Sequence, residues 1–177
     1  MDFVVVADLF EKLESTSKRL EKVMYLKSFL LKNKDEAPII FDLIAGNYQR
    51  EINKKLLGIS LKTVISTLAF VSKETENQIE KKFNKQGDIG LVAKEILSKE
   101  KQSSLSSKTL TLEDIILAFQ TISQKSGTNK NKAKKETISK LFLYAQKQRE
   151  YKFLARLFID DLRIGVSEGV LREAVVN

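Results

Sequence analysis

The sequence predicts an all-α fold of about ten helices, and three observations lead to this class. Apolar residues recur at spacings of three and four positions along most of the chain. One proline and seven glycines in 177 residues leave few chain breakers, which favours long helices over a turn-rich β-fold. No segment alternates apolar and polar residues over the length of a strand.

The first third of the chain predicts four helices. Their expected positions are 3–14, 17–32, 35–45 and 49–56. Acids followed by Pro38 are typical of a helix start, because proline fits the first turn, where no intrahelical donor is needed. Gly46 is expected to end the third helix after Ala45, since glycine adopts the left-handed conformation that follows many helices.

Polar residues that precede apolar runs predict the helices of the middle section. These helices are expected at 60–70, 72–83 and 87–97. Ser60 and Ser72 are the candidate N-caps of the first two, because a serine oxygen can accept a hydrogen bond from a free backbone N–H. Gly87 and Asp88 are expected to open the third helix.

The C-terminal part predicts four more helices after a polar loop. Thr111 with Asp114 three residues later resembles a capping box before an apolar run. Helices are then expected at 132–147 and 149–160, and a last one from near Ser167. The serine-rich segment 99–109 is expected to be an exposed loop. The whole chain is interpreted as one domain, with a possible subdomain boundary at this loop.

Composition restricts the classes of function. The net charge is +8 and the pI is about 9.5, so a polyanionic partner is plausible. There is no cysteine and no histidine, which excludes disulfides, Cys/His zinc sites and histidine general bases. The sequence has no signal-peptide pattern and no apolar run of the about 20 residues that a membrane span needs. We therefore expect an intracellular protein without a membrane partner.

Four glycine-containing segments precede predicted helices and are candidate phosphate sites. A helix N-terminus carries free N–H groups and a partial positive charge, and a preceding glycine allows another backbone to approach closely. Nearby basic and hydroxyl side chains would complete such sites. The candidates are Gly58, Ser60, Lys62, Gly87, Gly90, Gly127, Thr128, Asn129, Lys130, Lys132, Lys134, Lys135, Arg163, Gly165 and Ser167.

Each of these segments also has a simpler interpretation. A glycine marks the end of many helices, and the basic segment 125–135 could be a solvated loop. The four lysines from Lys130 to Lys135 cannot all share one helical face, so we expect about two of them to contact a phosphate. The related segments LGIS (57–60) and IGVS (164–167) suggest either coincidence or two equivalent helix starts.

No catalytic or metal-binding constellation is evident in the sequence. The acid pairs at 113–114 and 160–161 are adjacent, so their side chains diverge by about 100° on a helix and cannot converge on one metal. No nucleotide-binding glycine loop is present. We predict no catalytic residue, no metal site and no cofactor in this chain.

Five segments resemble, in order, the N-terminal DNA-binding domain of ATP-dependent DNA ligases of the archaeal and eukaryotic replicative type. They are LFEKLESTSKRLEKVMYL (9–26), KLLGIS (55–60), GDIGLVAKEIL (87–97), SGTNKNKAKKETISKLF (126–142) and FLARLFIDDLRIGVSEGVLREAV (153–175). The resemblance implies an all-α domain that grips nicked duplex DNA through phosphates and the minor groove. It maps DNA contacts to 58–60, 87–90, 127–135 and 163–167.

The resemblance further implies ATP and Mg²⁺ for the full-length enzyme, with adenylation and OB-fold domains as partners. The lysine motif K-x-D-G that accepts AMP is absent, since no Asp-Gly pair occurs in the sequence. We therefore expect the chain alone to be inactive. Gln102 and Leu105 lie where some archaeal relatives bind a sliding clamp, although Leu105 replaces an aromatic residue.

The leading hypothesis is sequence-independent binding of nicked duplex DNA as part of such a ligase. Its expected location is the cytoplasm if the source is archaeal and the nucleus if it is eukaryotic. The alternative is a helical protein–protein adaptor, for example one that binds a sliding clamp, without DNA binding of its own. An adaptor would have a groove of exposed apolar residues and little salt dependence.

Overall fold

Ten α-helices form the regular structure of the described part of the chain, which in this computed structural model comprises residues 1–47, 59–100, 108–124 and 130–176. Among these residues there is no strand, and one isolated antiparallel bridge joins Asp2 to Thr111. The all-α prediction is confirmed. The helices are α1 Phe3–Glu14, α2 Arg19–Lys32, α3 Ala37–Ala45, α4 Leu61–Val71, α5 Glu76–Gln86, α6 Ile89–Glu100, α7 Leu112–Gln124, α8 Lys130–Tyr144, α9 Gln148–Phe158 and α10 Glu168–Val176.

Two predicted features lie outside the described residues. They are the helix expected at 49–56 and most of the loop expected at 99–109. The possible subdomain boundary at that loop stays a prediction.

Local capping sets several helix starts where the sequence predicts them. The Ser60 hydroxyl accepts a hydrogen bond from the Thr63 N–H at 3.2 Å. Thr111 and Asp114 form a reciprocal box, in which the Thr111 N–H donates to the Asp114 carboxylate at 3.0 Å and the Asp114 N–H donates to the Thr111 hydroxyl at 3.2 Å. These side chains satisfy backbone donors that the first turn leaves without a partner.

The prediction that Ser72 caps the next helix is wrong. Ser72 is the C-cap of α4, and Thr75 caps α5 in a reciprocal box with Gln78. The Thr75 hydroxyl accepts from the Gln78 N–H, and the Gln78 side chain accepts from the Thr75 N–H at 2.8 Å. A box with a partner three residues on satisfies two donors, whereas Ser72 accepts only from the Glu74 N–H.

The boundary between α8 and α9 also differs from the prediction. The Glu150 carboxylate accepts hydrogen bonds from the N–H groups of Gln146 and Lys147 at 2.8 and 2.7 Å. These bonds fix a turn, so α8 ends at Tyr144 and does not extend to 147. At its other end α9 stops at Phe158, because Asp160 has a φ of 56° and leaves the helical conformation.

Helix α9 is the central element of the core. Every residue from Glu150 to Phe158 on it is buried. Phe153 packs edge-on against Phe10 of α1 with ring centroids 5.3 Å apart, and Phe158 packs against Phe119 of α7 at 6.0 Å. Edge-to-face aromatic pairs add to the burial of apolar area. The core thus joins the N-terminal and C-terminal parts of the chain through one helix.

Candidate nucleic-acid interface

A basic cleft of about 550 Å³ lies between the N-terminal halves of α4 and α8. It brings together four residues predicted from two separate segments of the sequence: Ser60, Lys62, Lys132 and Lys135. The other lining residues carry hydroxyl or amide groups, namely Thr63, Ser66 and Asn131. Among these lining residues no side chain is acidic. A cleft with this lining favours an anion that can accept several hydrogen bonds.

The position of the cleft follows from how the two helices begin. Ser60 has extended backbone geometry and caps α4 with its side chain, so the partial positive charge of that helix start points toward the cleft. Lys132 is exposed in the first turns of α8, and Lys62 is exposed in the first turn of α4. Both ammonium groups can therefore reach an anion in the cleft.

Lys135 connects the cleft with an exposed aromatic ring. Its ammonium donates to the Ser66 hydroxyl at 3.0 Å and lies 5.2 Å from the centroid of the Phe70 ring. Phe70 is 65% exposed. The spacing of Lys62, Ser66 and Phe70 by four residues could have identified this stripe of α4, because such residues share a helical face.

Lys134 is buried, unlike the neighbouring Lys132 and Lys135. Lys134 is only 4% exposed, and burial together with the charge of Lys130 lowers its pKa. Lys130 is half-buried at the start of α8. A helix turns by about 100° per residue, so Lys132 points to nearly the opposite side of α8 from Lys134. Of the four predicted lysines, Lys132 and Lys135 line the cleft.

A second group of predicted residues lies where the α9–α10 connection meets the start of α6. The Arg163 guanidinium donates to the Gly87 carbonyl at 2.8 Å and to the Asp161 carboxylate at 2.7 Å. Gly165 and Ser167 are exposed on the same connection, and Ser167 accepts from the Val170 N–H at the start of α10. The structure thus joins two segments that are 76 positions apart in the sequence.

A buried charge network holds this second region in place. Arg156 is 2% exposed and its guanidinium donates to Asp88 at 2.5 and 3.1 Å and to Glu14 at 3.0 Å. Burial alone would raise the pKa of Asp88, but the hydrogen bonds and charge of Arg156 outweigh it and lower that pKa. The same balance, with Lys152 as a second donor, lowers the pKa of Glu14. Both carboxylates are therefore stabilised in the charged form.

Lys22 fixes the backbone of the α9–α10 connection from the other side. Its ammonium is 6% exposed and donates to the carbonyls of Ile164 and Gly165 at 2.5 and 2.9 Å. Burial lowers the pKa of Lys22. A cleft of about 500 Å³ beside it is lined by residues that include Ser17, Arg19 and Arg163. Sequence reasoning missed Arg19 and Lys22, because nothing local marks them as neighbours of residues 163–167.

Gly90 lies in the interior and not on this surface. A Cβ built on it would approach the Lys152 carbonyl oxygen to 2.6 Å and Arg156 side-chain atoms to 2.8 Å. The glycine therefore allows α6 to pack closely on α9. Its N–H donates to the Asp88 carboxylate at 2.8 Å. This packing explains the glycine without a ligand, and we leave Gly90 out of the interface.

Six predicted residues lie outside the described part of the chain. They are Gly58, Gln102, Leu105, Gly127, Thr128 and Asn129. Within the described ranges no group of three or more acidic side chains could hold a metal ion. No helix in those ranges is long and apolar enough to cross a membrane.

Comparisons with known proteins identify the family. The family described as "DNA ligase N terminus" matches residues 2–176. The chain is 35% identical over 175 residues to a DNA ligase of Nanoarchaeum equitans (strain Kin4-M). This alignment covers 99% of the chain and 31% of that ligase. The chain is 32% identical to a DNA ligase of Methanobrevibacter smithii and 30% identical to one of Thermococcus onnurineus, in both cases over 100% of the chain and 32% of the relative.

The chain spans about a third of the length of these relatives. The match of the family extends over all ten described helices and includes both basic regions. The chain therefore belongs to the DNA ligase N-terminus family.

Proposed function

We propose that this chain binds nicked duplex DNA through its phosphates, as the DNA-binding part of an ATP-dependent DNA ligase that acts in replication and repair. The observation that carries the proposal is the α4–α8 cleft. Three lysines from two helices line it together with hydroxyl and amide groups, and the described lining contains no acid. Such groups hold phosphate oxygens without contacting base edges, so the binding is independent of sequence.

Within the cleft each group has a distinct role. Lys62 and Lys132 are the exposed ammonium groups that neutralise phosphates. Lys135 is pre-positioned by Ser66 and Phe70, so it loses little side-chain freedom on binding. The first turn of α4 after Ser60 contributes N–H groups to a bound phosphate. Lys134 is buried and is not part of the proposed contact surface.

The α9–α10 connection is a second proposed contact region. Arg163, Gly165 and Ser167 are exposed on it, and Gly87 is exposed beside it. Arg156 and Lys22 hold the connection by hydrogen bonds to the carbonyls of Leu162 and Gly165. Contacts by Lys130 at the start of α8, and by Gly58 and residues 127–129, stay predictions from the sequence. The same is true of a sliding-clamp contact at Gln102 and Leu105.

The rest of the proposal concerns a longer protein. We propose that adenylation and OB-fold domains, with ATP and Mg²⁺, supply the chemistry of nick sealing. The 177 residues contain no Asp-Gly pair, so the chain alone is proposed to accept no AMP. The relatives named above are archaeal, and of the two expected locations we therefore propose the cytoplasm.

The test is a titration of the chain against labelled nicked duplex, intact duplex and single-stranded DNA at several salt concentrations. The cleft variant is Lys62→Ala with Lys132→Ala. The control is Lys12→Ala with Lys32→Ala, which removes the same charge from exposed positions on α1 and α2. Affinity for duplex should fall with salt by about 0.9 in log K per log salt for each neutralised phosphate.

We expect the cleft variant to bind duplex more weakly and its salt slope to decrease by about 1 for each lost phosphate contact. The control should retain the slope of the wild-type protein. Equal losses in the two variants would show that net charge alone drives binding and would refute the cleft. No duplex binding at low salt would refute binding of duplex DNA by this chain.

An apolar groove supports the adaptor as a second candidate function. It has a volume of about 420 Å³ and lies between α2, α3 and the end of α10. Its lining includes Leu31 and Val175, which are 58% and 60% exposed. Exposed apolar side chains of this size are typical of a binding groove. An adaptor would bind its partner with little salt dependence, and Leu31→Ser would abolish that binding without affecting duplex DNA.

A further inference from the structure

Phe70 is an exposed aromatic residue at the edge of the basic cleft. Its side chain is 65% exposed, so the core does not require a phenylalanine there. It continues the stripe of α4 on which Lys62 and Ser66 line the cleft. Exposed aromatic rings beside lysines are the combination by which proteins hold unpaired nucleotides, because every base has a face that can stack.

Lys135 determines where a nucleotide would lie relative to this ring. Its ammonium is 3.0 Å from the Ser66 hydroxyl and 5.2 Å from the Phe70 ring centroid. One face of the ring is thus directed toward the ammonium, while most of the side chain remains open to solvent. A phosphate held by Lys135 would bring its own sugar and base next to the open part of the ring.

We propose that Phe70 is a stacking site for an unpaired nucleotide whose phosphate is bound by Lys135. The inference rests on the proposed function, since it uses the same cleft for the phosphate. The occupant is nucleic acid because the Lys135 ammonium lies beside the ring and the described lining of the cleft contains no acid. Bases inside an intact duplex are covered by their neighbours, so the site selects single-stranded, gapped or frayed DNA.

The first experiment uses tryptophan as a reporter, because the chain contains no tryptophan of its own. Phe70→Trp places the only indole at the proposed site. Met24→Trp is the matched control, since Met24 is 57% exposed on α2, away from α4 and α8. Each variant is titrated with single-stranded oligothymidylate and with a long GC-rich duplex that has few ends.

We expect oligothymidylate to quench the fluorescence of the Phe70→Trp variant strongly and the duplex to quench it little. The Met24→Trp variant should respond to neither ligand. The inference is overturned if the Phe70→Trp fluorescence does not change at saturating oligothymidylate. It is also overturned if both variants are quenched equally, since that would indicate non-specific contact.

The second experiment measures affinity for Phe70→Ala and Phe70→Leu. Leucine retains apolar area but has no ring to stack. Both variants should bind oligothymidylate roughly 5-fold to 150-fold more weakly, which is the range for loss of one stacked base. They should lose clearly less affinity for duplex, where Phe70 only helps to position Lys135. Wild-type affinity of Phe70→Leu for oligothymidylate would overturn the proposal, as would an equal loss on both ligands.

Failure of this inference can be distinguished from failure of the proposed function. The stacking site alone is refuted if the wild-type protein binds duplex with the expected salt slope, the cleft variant binds duplex more weakly, and the Phe70 variants bind oligothymidylate like the wild-type protein. If the wild-type protein binds neither duplex nor oligothymidylate at low salt, both proposals are refuted.

Discussion

Individual residues act here mainly by fixing the geometry of other groups. Arg156 is almost fully buried, yet it links Asp88, Glu14 and the Leu162 carbonyl. These partners lie just before α6, on α1 and in the α9–α10 connection, so one side chain sets the relative position of three segments. Buried charges are tolerated only when their hydrogen bonds are satisfied in this way.

Gly87, Gly90 and Gly165 differ in how much space an added Cβ would have, and alanine substitutions should reveal this difference. Gly87 and Gly165 have φ values of 67° and 61°, where alanine costs about 1–2 kcal/mol of backbone strain. Gly87→Ala meets no atom within 4 Å, whereas a Cβ at Gly165 would lie 2.5 Å from the Lys22 ammonium. Gly90→Ala would clash with the backbone of α9. Urea unfolding should therefore give a smaller loss for Gly87→Ala than for the other two.

The loss of stability for Gly87→Ala measures backbone strain without a clash, so it is the internal control for the other two substitutions. A loss at Gly165 that equals the loss at Gly87 would mean that Lys22 moves away freely. Wild-type stability for Gly90→Ala would contradict the close packing of α6 on α9.

At the level of elements, helix starts are defined by local side chains. Ser60, Thr75 and Thr111 each accept a hydrogen bond from the N–H three residues later. Each bond replaces a partner that the helix cannot supply. Because these caps need only nearby residues, they define where α4, α5 and α7 begin without contacts from other helices.

Thr75→Ala tests the reciprocal box at the start of α5. The substitution removes the hydroxyl that accepts from the Gln78 N–H, and we expect a loss of about 1 kcal/mol in the free energy of unfolding. Ser72→Ala is the control, because Ser72 ends α4 and caps no helix start. Thermal and urea unfolding measure both. A larger loss for Ser72→Ala than for Thr75→Ala would contradict the assignment of the cap.

At the scale of the whole molecule, the buried charge network predicts how stability depends on pH. The folded-state pKa values of Asp88 and Glu14 lie below their ordinary values. The unfolded chain therefore binds more protons than the folded chain in the pH range between the two values. The stability contributed by these carboxylates is complete above their ordinary pKa of about 4 and is lost as the pH falls through the folded-state values.

Asp88→Asn should remove part of this dependence. At neutral pH we expect it to lower the free energy of unfolding by as much as about 3 kcal/mol, because Arg156 loses a buried counter-charge. The difference from the wild-type protein should decrease as the pH falls below 4. Asp35→Asn, an exposed acid between α2 and α3, controls for the loss of one negative charge. A difference between Asp88→Asn and wild type that is the same at every pH would contradict the network.

Much of the fold and part of the lining of the basic cleft could be predicted because their signals are local. Helical periodicity identified α1 with its observed bounds and the existence of every later described helix. The cap at Ser60 and the box at Thr111 followed from residues within three positions. The predicted cap at Ser72 was wrong because two candidate hydroxyls precede α5, and only Thr75 has a Gln78 to complete the box.

Other features required the packed structure. The cleft joins Ser66 to Lys135, which are 69 positions apart, and no local pattern brings α4 beside α8. The burial of Lys134 and the exposure of Lys132 depend on which face of α8 packs inward. Gly90 was predicted at a phosphate site because nothing in the neighbouring sequence indicates that α9 packs against it.

The sequence by itself determined the all-α class, most helix positions and the concentration of positive charge near helix starts, since periodicity, caps and charge act over a few residues. Only the tertiary structure decided which lysines share a cleft, which glycine is a packing contact and which arginine holds the α9–α10 connection. These features depend on contacts between residues far apart in the chain. Such contacts exist only after the core around α9 has formed.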